Sequence, residues 1–241
     1  MASSSIDTIV VCDTETTGMD PAEGAALLEV AWVVLDRRAG VWQYGEAAAF
    51  YVEHEGAIPA EARAVHHISP EDVRPGADNA LPRGNIVSSM LGAETPELCY
   101  AYHNAAFDTK FLPELKKPAL CTYRASMHIY PTAPRHGNQV LRYWMNAEPP
   151  AHLLAGLAPH RALYDAAVTA AVLLRMLDSH SAEELVRLSG EPILLDTVRF
   201  GKHKGAKWSE LPRDYLRWLR DKSDMCREDR DVDHTVRHYL G

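Results

Sequence analysis

The 241-residue sequence predicts an α/β fold, a mixed central sheet flanked by helices and followed by a small C-terminal module. Three observations carry that expectation. Runs rich in β-branched residues follow one another near the N-terminus; helix-period segments come next; and Gly190 and Pro192 punctuate the chain ahead of a basic, aromatic tail. The main domain is expected over residues 1–180 and the module over 181–241.

Residues 8–15, TIVVCDTE, read as a buried strand, and residues 27–35, LLEVAWVVL, as a second. FYVEHEG continues the pattern after the alanines at 47–49. No crossover helix fits between these runs, so they should pair as antiparallel neighbours. Ser69 offers an N-cap, Pro70 the first helical position and Asp72 the acidic residue three on, which starts a short helix. A fourth strand, ELCYAYHN at 97–104, runs into the helical FDTKFLPELKK, and a long amphipathic helix spans about Arg161 to Leu177. Past the break, LLDTVRFGKHKGAKW reads as a short strand and a glycine-punctuated turn, and PRDYLRWLRDK as a helix.

Composition narrows the function classes. Hydrophobic residues make up 46% and charged residues 24%, which fits a packed globular protein and opposes a disordered or fibrous one. The most apolar stretch, VTAAVLLRML at 168–177, is too short to span a bilayer, and MASSSID lacks the basic and apolar halves of a signal peptide, so a cytoplasmic protein is expected. Cys12, Cys99, Cys121 and Cys226 form no CxxC pair and read as reduced, mostly buried thiols. The formal charge of −8 opposes phosphate binding in general. Four carboxylates holding two divalent cations, however, sum to zero, so global charge does not decide the question.

Three motifs carry the chemistry. In DTETTG at 13–18, Asp13 and Glu15 lie two apart at a strand end, so both side chains leave one face of the sheet. A solvated edge would explain such a pair, but the preceding TIVVC is wholly apolar, and like charges at its tip repel unless cations join them. Hard oxygen donors of this kind suit Mg²⁺ or Mn²⁺. In HNAAFDTKFL at 103–112, Asp108 falls in the first turn of a helix, where it either binds metal or complements the helix dipole. Phe107 and Phe111, four apart, pin that helix to the core, and Asn104 serves as a turn residue or an orienter of the site. In HRALYD at 160–165, the five-residue spacing brings His160 and Asp165 together only if His160 precedes the helix, as Pro159 favours. Histidine takes a proton at neutral pH.

In this order and these contexts, the three motifs resemble those of the DEDDh (DnaQ-like) exonucleases, the family of the proofreading subunit of bacterial DNA polymerase III. DTETTG, the N-x-x-F-D of HNAAFD and the H-x4-D of HRALYD match the family's three motifs, and VHHIS at 65–69 resembles its V-H-G-I-T segment. The resemblance implies an RNase H-like fold and 3′ to 5′ hydrolysis of DNA ends to nucleoside monophosphates. It makes Asp13, Glu15, Asp108 and Asp165 ligands of two Mg²⁺ or Mn²⁺ ions, His160 the general base, and Thr16, His66 and Asn104 substrate contacts. Within the family, HRALYDAAVTAAVLL and RFGKHKGAKWSELPRDYLRWL resemble exodeoxyribonuclease X in particular. Two departures stand out: His67 replaces a common glycine, and Met19-Asp20 stands where exodeoxyribonuclease X has Leu-Gln. The resemblance makes Met19 the apolar wedge against a terminal base, while Asp20 alters the polar contact beside it.

The expected partner is DNA with a single-stranded or frayed 3′ end, and no membrane. RNA is the alternative substrate, through an oligoribonuclease or RNase T-like activity; a non-catalytic nucleic-acid-binding module and a polymerase-docked proofreading subunit are the other rivals. From Arg199 to Lys222 there are eight Lys or Arg against three Asp or Glu, with Trp208, Tyr215 and Trp218 interleaved, and Lys202 and Lys204 are the candidate DNA contacts. The alternative is a cap in which Leu211, Tyr215, Leu216 and Leu219 simply pack on the sheet.

Overall fold

The computed structural model describes residues 5–241, which divide into two compact units, residues 5–189 and Gly190–Gly241. The strands are β1 (Thr8–Thr16), β2 (Leu27–Arg38), β3 (Val41–Val52), β4 (Ala80–Leu81), β5 (Leu98–Tyr102) and β6 (Ala119–Cys121). They form one sheet in the order β4-β3-β2-β1-β5-β6. As expected, β1, β2 and β3 pair antiparallel, while β5 joins β1 in parallel and makes the sheet mixed. The helices of the first unit are α1 (Ala60–His66), α2 (Pro70–Val73), α3 (Arg83–Gly92), α4 (Ala105–Phe111), α5 (Thr122–Ile129), α6 (Asn138–Trp144), α7 (Ala151–Leu154), α8 (Ala162–Leu177) and α9 (Ala182–Gly190). The second unit has α10 (Arg213–Lys222), α11 (Met225–Glu228) and α12 (Arg230–Leu240).

Two layers of core follow from the alternation of side chains along β1. Ile9 and Val11 face α8, whose Ala166, Ala167, Ala170 and Ala171 let the helix approach the sheet closely. Val10 and Cys12 face the opposite layer, with Ile86 and Val87 of α3 and Phe111 of α4. The Ser69 capping box forms, with Asp72 returning a bond to the Ser69 N–H at 2.8 Å. The four cysteines are free, and Cys12, Cys99 and Cys121 are buried. No helix among the described residues is long and apolar enough to cross a membrane.

Several elements differ from expectation. The third strand begins at Val41, ahead of the alanines, because Ala39 and Gly40 take positive φ values of 50° and 83° and close a two-residue hairpin against Arg38. The helix carrying Asp108 starts at Ala105 and ends at Phe111, short of the expected FDTKFLPELKK run, since Pro113 cannot continue it. Residues 194–208 form no strand; a single bridge between Thr197 and Lys207 closes a loop instead. The second compact unit begins at Gly190, and Ala182 and Leu185 of α9 lie in the core of the first. Within the second unit, α10 packs on α12 and buries Leu216 and Leu219, while Trp208 is wholly enclosed.

Candidate active site

The candidate site lies where β1 ends and α8 begins. Asp13 and Glu15 share the β1 face that carries Ile9 and Val11, and Asp165 stands in the first turn of α8, which packs on that face. The three carboxylates each offer an oxygen within 4.8 Å of the others. Asp108 comes from the other layer. It is 3% exposed, and its Oδ1 accepts a hydrogen bond of 2.8 Å from the Thr14 hydroxyl, on the opposite face of β1 from Asp13. Asp108 therefore stands beside the trio without joining it, close enough for its charge to act on Asp13 and Glu15.

Burial of so much negative charge shifts the titration of each acid. Desolvation, reinforced by Asp108, Asp165 and Glu15, pushes Asp13 well above the usual carboxylate range. Burial and Asp165 push Glu15 to about 9. Burial raises Asp108 to about 7 despite the Thr14 hydrogen bond, and raises Asp165 as well. Among the described residues, none of the four forms an ion pair. An uncompensated nest of carboxylate oxygens on a sheltered rim is the donor set that a divalent cation fits.

The third motif is folded as its spacing requires. His160 precedes α8, is exposed, and takes a left-handed φ of 66°. Its backbone N–H donates to Asp165 Oδ2 at 2.8 Å, while Gln139 Nε2 reaches Asp165 Oδ1 at 3.5 Å. One carboxylate thus holds the turn that presents the imidazole.

Sequence reasoning missed the group that supports this turn. Glu29 lies directly across from Glu15 in the β1–β2 register, and two like charges so placed repel. Arg161 resolves the conflict by donating to both Glu29 oxygens, at 3.1 and 2.7 Å, and to the Tyr51 hydroxyl at 2.6 Å. The Ala162 N–H adds a further bond to Glu29 at 3.0 Å. A lone carboxylate inside the apolar run LLEVAWVVL was the available signal, since an acid that is only 4% exposed requires a partner.

The remaining candidates occupy varied settings. Thr16 is buried and donates to the Gly18 carbonyl at 2.6 Å. Met19 is 72% exposed at the turn after β1. Asp20 caps the short turn at Pro21–Glu23 and pairs with Lys110 at 2.8 Å, so its carboxylate is already engaged. His66 is buried, and its Nδ1 accepts from the Ile68 N–H at 2.9 Å. Asn104 is exposed and left-handed, with a φ of 82°, and its side chain makes no cap bond to α4, which accords with the turn reading. Lys202 and Lys204 are exposed in the second unit.

A sequence profile described as Exonuclease, of the RNase T type, matches residues 10–173. Exodeoxyribonuclease 10 of Escherichia coli strain K12 is 30% identical over 240 residues, covering 95% of this chain and 97% of that protein. A solved structure of Exonuclease X in complex with 5′ overhanging duplex DNA is similar at a TM-score of 0.60 and 26% identity, covering 76% of this chain and 99% of that one. The fold is also like that of E. coli Exonuclease I in complex with a dT13 oligonucleotide, with a TM-score of 0.57 at 15% identity over 72% of this chain and 41% of that one. Profile and full-length likeness agree with the carboxylate geometry, and the chain belongs to the exonuclease family.

Proposed function

We propose that this exonuclease removes nucleotides from the 3′ end of DNA, releasing nucleoside monophosphates, with Asp13, Glu15, Asp108, Asp165 and His160 as its catalytic residues. The observation that carries the reading is the convergence of Asp13, Glu15 and Asp165 within 4.8 Å, with the His160 turn bonded to the last of them. Preference for DNA is supported by the likeness to Exodeoxyribonuclease 10 over 97% of that protein.

The four carboxylates would hold two Mg²⁺ or Mn²⁺ ions, which when bound supply an activated water and offset the charge that develops on the leaving 3′ oxygen. The His160 imidazole accepts the proton of the attacking water. Asp165 and the Arg161–Glu29 clamp hold the turn that carries that imidazole, which is exposed to solvent. Thr14 fixes one Asp108 oxygen, so the fourth carboxylate is held beside the others by a residue of the same strand. Met19, exposed after β1, presses on the terminal base of a single-stranded or frayed end, and Thr16, His66 and Asn104 are the further candidate substrate contacts.

The test is a side-by-side digestion of DNA and RNA strands of one sequence, labelled at either end, with Mg²⁺ or Mn²⁺. The expected result is early release of the 3′ label as a monophosphate, with DNA turned over faster. Faster turnover of RNA would reassign the substrate, and release from the 5′ end would overturn the polarity.

A further inference from the structure

The second unit contains an aromatic cavity that the catalytic reading does not use. Gly201, Lys202, His203, Pro212, Tyr215 and Trp218 line a space of about 660 Å³. Tyr215 and Trp218, three apart on α10, stack with ring centroids 5.7 Å apart and planes 17° from parallel. Trp218 is 50% exposed, whereas Trp208, the core tryptophan of the same unit, is fully buried. The stack is therefore a platform and not part of the core.

Basic groups surround it. Lys202 Nζ lies 5.1 Å from the Tyr215 ring centroid, over its face, and the His203 ring lies 4.4 Å from the same ring. Gly201, with a φ of 61°, makes the left-handed turn that brings both side chains back over α10. Among the described residues, Lys202, Lys204 and Lys207 form no ion pair, and Asp214 on the cavity rim is already paired with Arg217 at 3.0 Å. The eight Lys or Arg against three Asp or Glu between Arg199 and Lys222 contrast with a chain whose net charge is −8. An aromatic face alone would suit a proline-rich peptide equally well. Lys202, without an ion-pair partner beside a stacked pair, and Lys204 two residues on favour an anion with a flat π-face.

We propose that this cavity is a second nucleic-acid site, which takes a base of a single strand onto Trp218 while Lys202 and Lys204 hold the flanking phosphates. The site uses none of the catalytic carboxylates and so stands or falls separately from them.

The experiment uses the full chain and two substrates. Binding of a labelled oligothymidylate, and of a matching abasic strand, is followed by fluorescence anisotropy in chelator at several salt concentrations. Hydrolysis of the p-nitrophenyl ester of thymidine 5′-monophosphate, which is too small to engage two sites, is followed in Mn²⁺. Trp218→Ala should weaken oligothymidylate binding roughly tenfold, the scale of one lost base–aromatic stack, and should leave abasic binding and ester hydrolysis unchanged. Trp218→Phe should restore most of the affinity. Lys202→Ala with Lys204→Ala should reduce the salt slope by about 1.4. Wild-type affinity in Trp218→Ala, equal losses for the abasic strand, or parallel loss of ester hydrolysis would overturn the proposal, as would a proline-rich peptide that binds the cavity in place of the oligonucleotide. Failure of the wild-type protein to hydrolyse the ester would instead count against the exonuclease reading and leave the binding comparison readable.

Discussion

The two units place their polar chemistry in opposite environments. In the first, Asp13, Glu15, Asp108 and Asp165 are sunk into the end of an apolar sheet, where they repel one another and share a raised affinity for protons. In the second, Lys202 and Trp218 lie at the surface, where water solvates whatever no partner covers. A site built from buried charge gives up stability for function. A surface platform does not, so substitutions in the two units should have different signatures.

The largest effect expected is in the first unit. Asp13→Asn or Asp165→Asn should lower turnover of both the small ester and DNA by about a thousandfold or more, since several kcal/mol of charge stabilisation depend on these oxygens. The Asp13→Asn variant should also melt at higher temperature than the wild type in chelator, because it removes one of several repelling buried charges. Lower activity with lower stability would instead mean that the residue acts through the fold. Trp218→Ala should change neither turnover of the small ester nor the melting temperature, which keeps the contrast between the units measurable.

Next in size is the clamp behind His160. Arg161→Met leaves Glu29 buried opposite Glu15 without its cation, and should destabilise the protein by about 2–4 kcal/mol, below the full range for a buried pair because the Arg161 side chain stays 24% exposed. Turnover should fall roughly ten- to a hundredfold as the turn loosens. Adding Glu29→Gln to Arg161→Met should recover part of the stability, which a denaturant-melt double-mutant cycle would measure. Simple additivity would show that the two side chains act independently.

The smallest effect is a pH dependence. The unfolded chain releases its carboxyl protons near pH 4, whereas folded Asp108 and Glu15 keep theirs to about 7 and about 9. Between these limits the folded state binds more protons, so stability contributed by these groups is present at low pH and is lost as pH rises through about 7 and then about 9. Thermal melts in chelator should therefore show a Tm that declines by several degrees from pH 5 to pH 9. Saturating Mn²⁺ should remove the decline. A Tm that rises with pH in chelator would contradict the buried, uncompensated state of the carboxylates.

Much of the fold was legible from short stretches of sequence. The apolar runs at 8–15 and 27–35, the Ser69 cap and the helix from Arg161 to Leu177 each encode their own element within a few residues, and each forms at nearly the expected place. The elements that were missed are weakly patterned: β4 has two residues, β6 has three, and α3 carries glycines and serines among its apolar positions. Such segments take their structure from the surface they pack against more than from their own propensity. The Gly190 punctuation coincides with the division between the two compact units, and Ala182 and Leu185 of α9 are buried in the core of the first.

By itself, the sequence determined the family's three motifs, their order, and the strand-end or helix-start setting of each acid, since these depend only on residue type and near spacing. Tertiary structure alone decided that Asp13, Glu15 and Asp165 meet while Asp108 waits on the opposite face with Thr14. It also decided that Arg161 reaches Glu29 across 132 positions of chain to neutralise an acid that local pattern leaves unexplained. The physical reason is common to both: electrostatic energies in a buried site depend on distances between groups that no local periodicity encodes, and only the packing of α8 on β1 and β2 sets those distances.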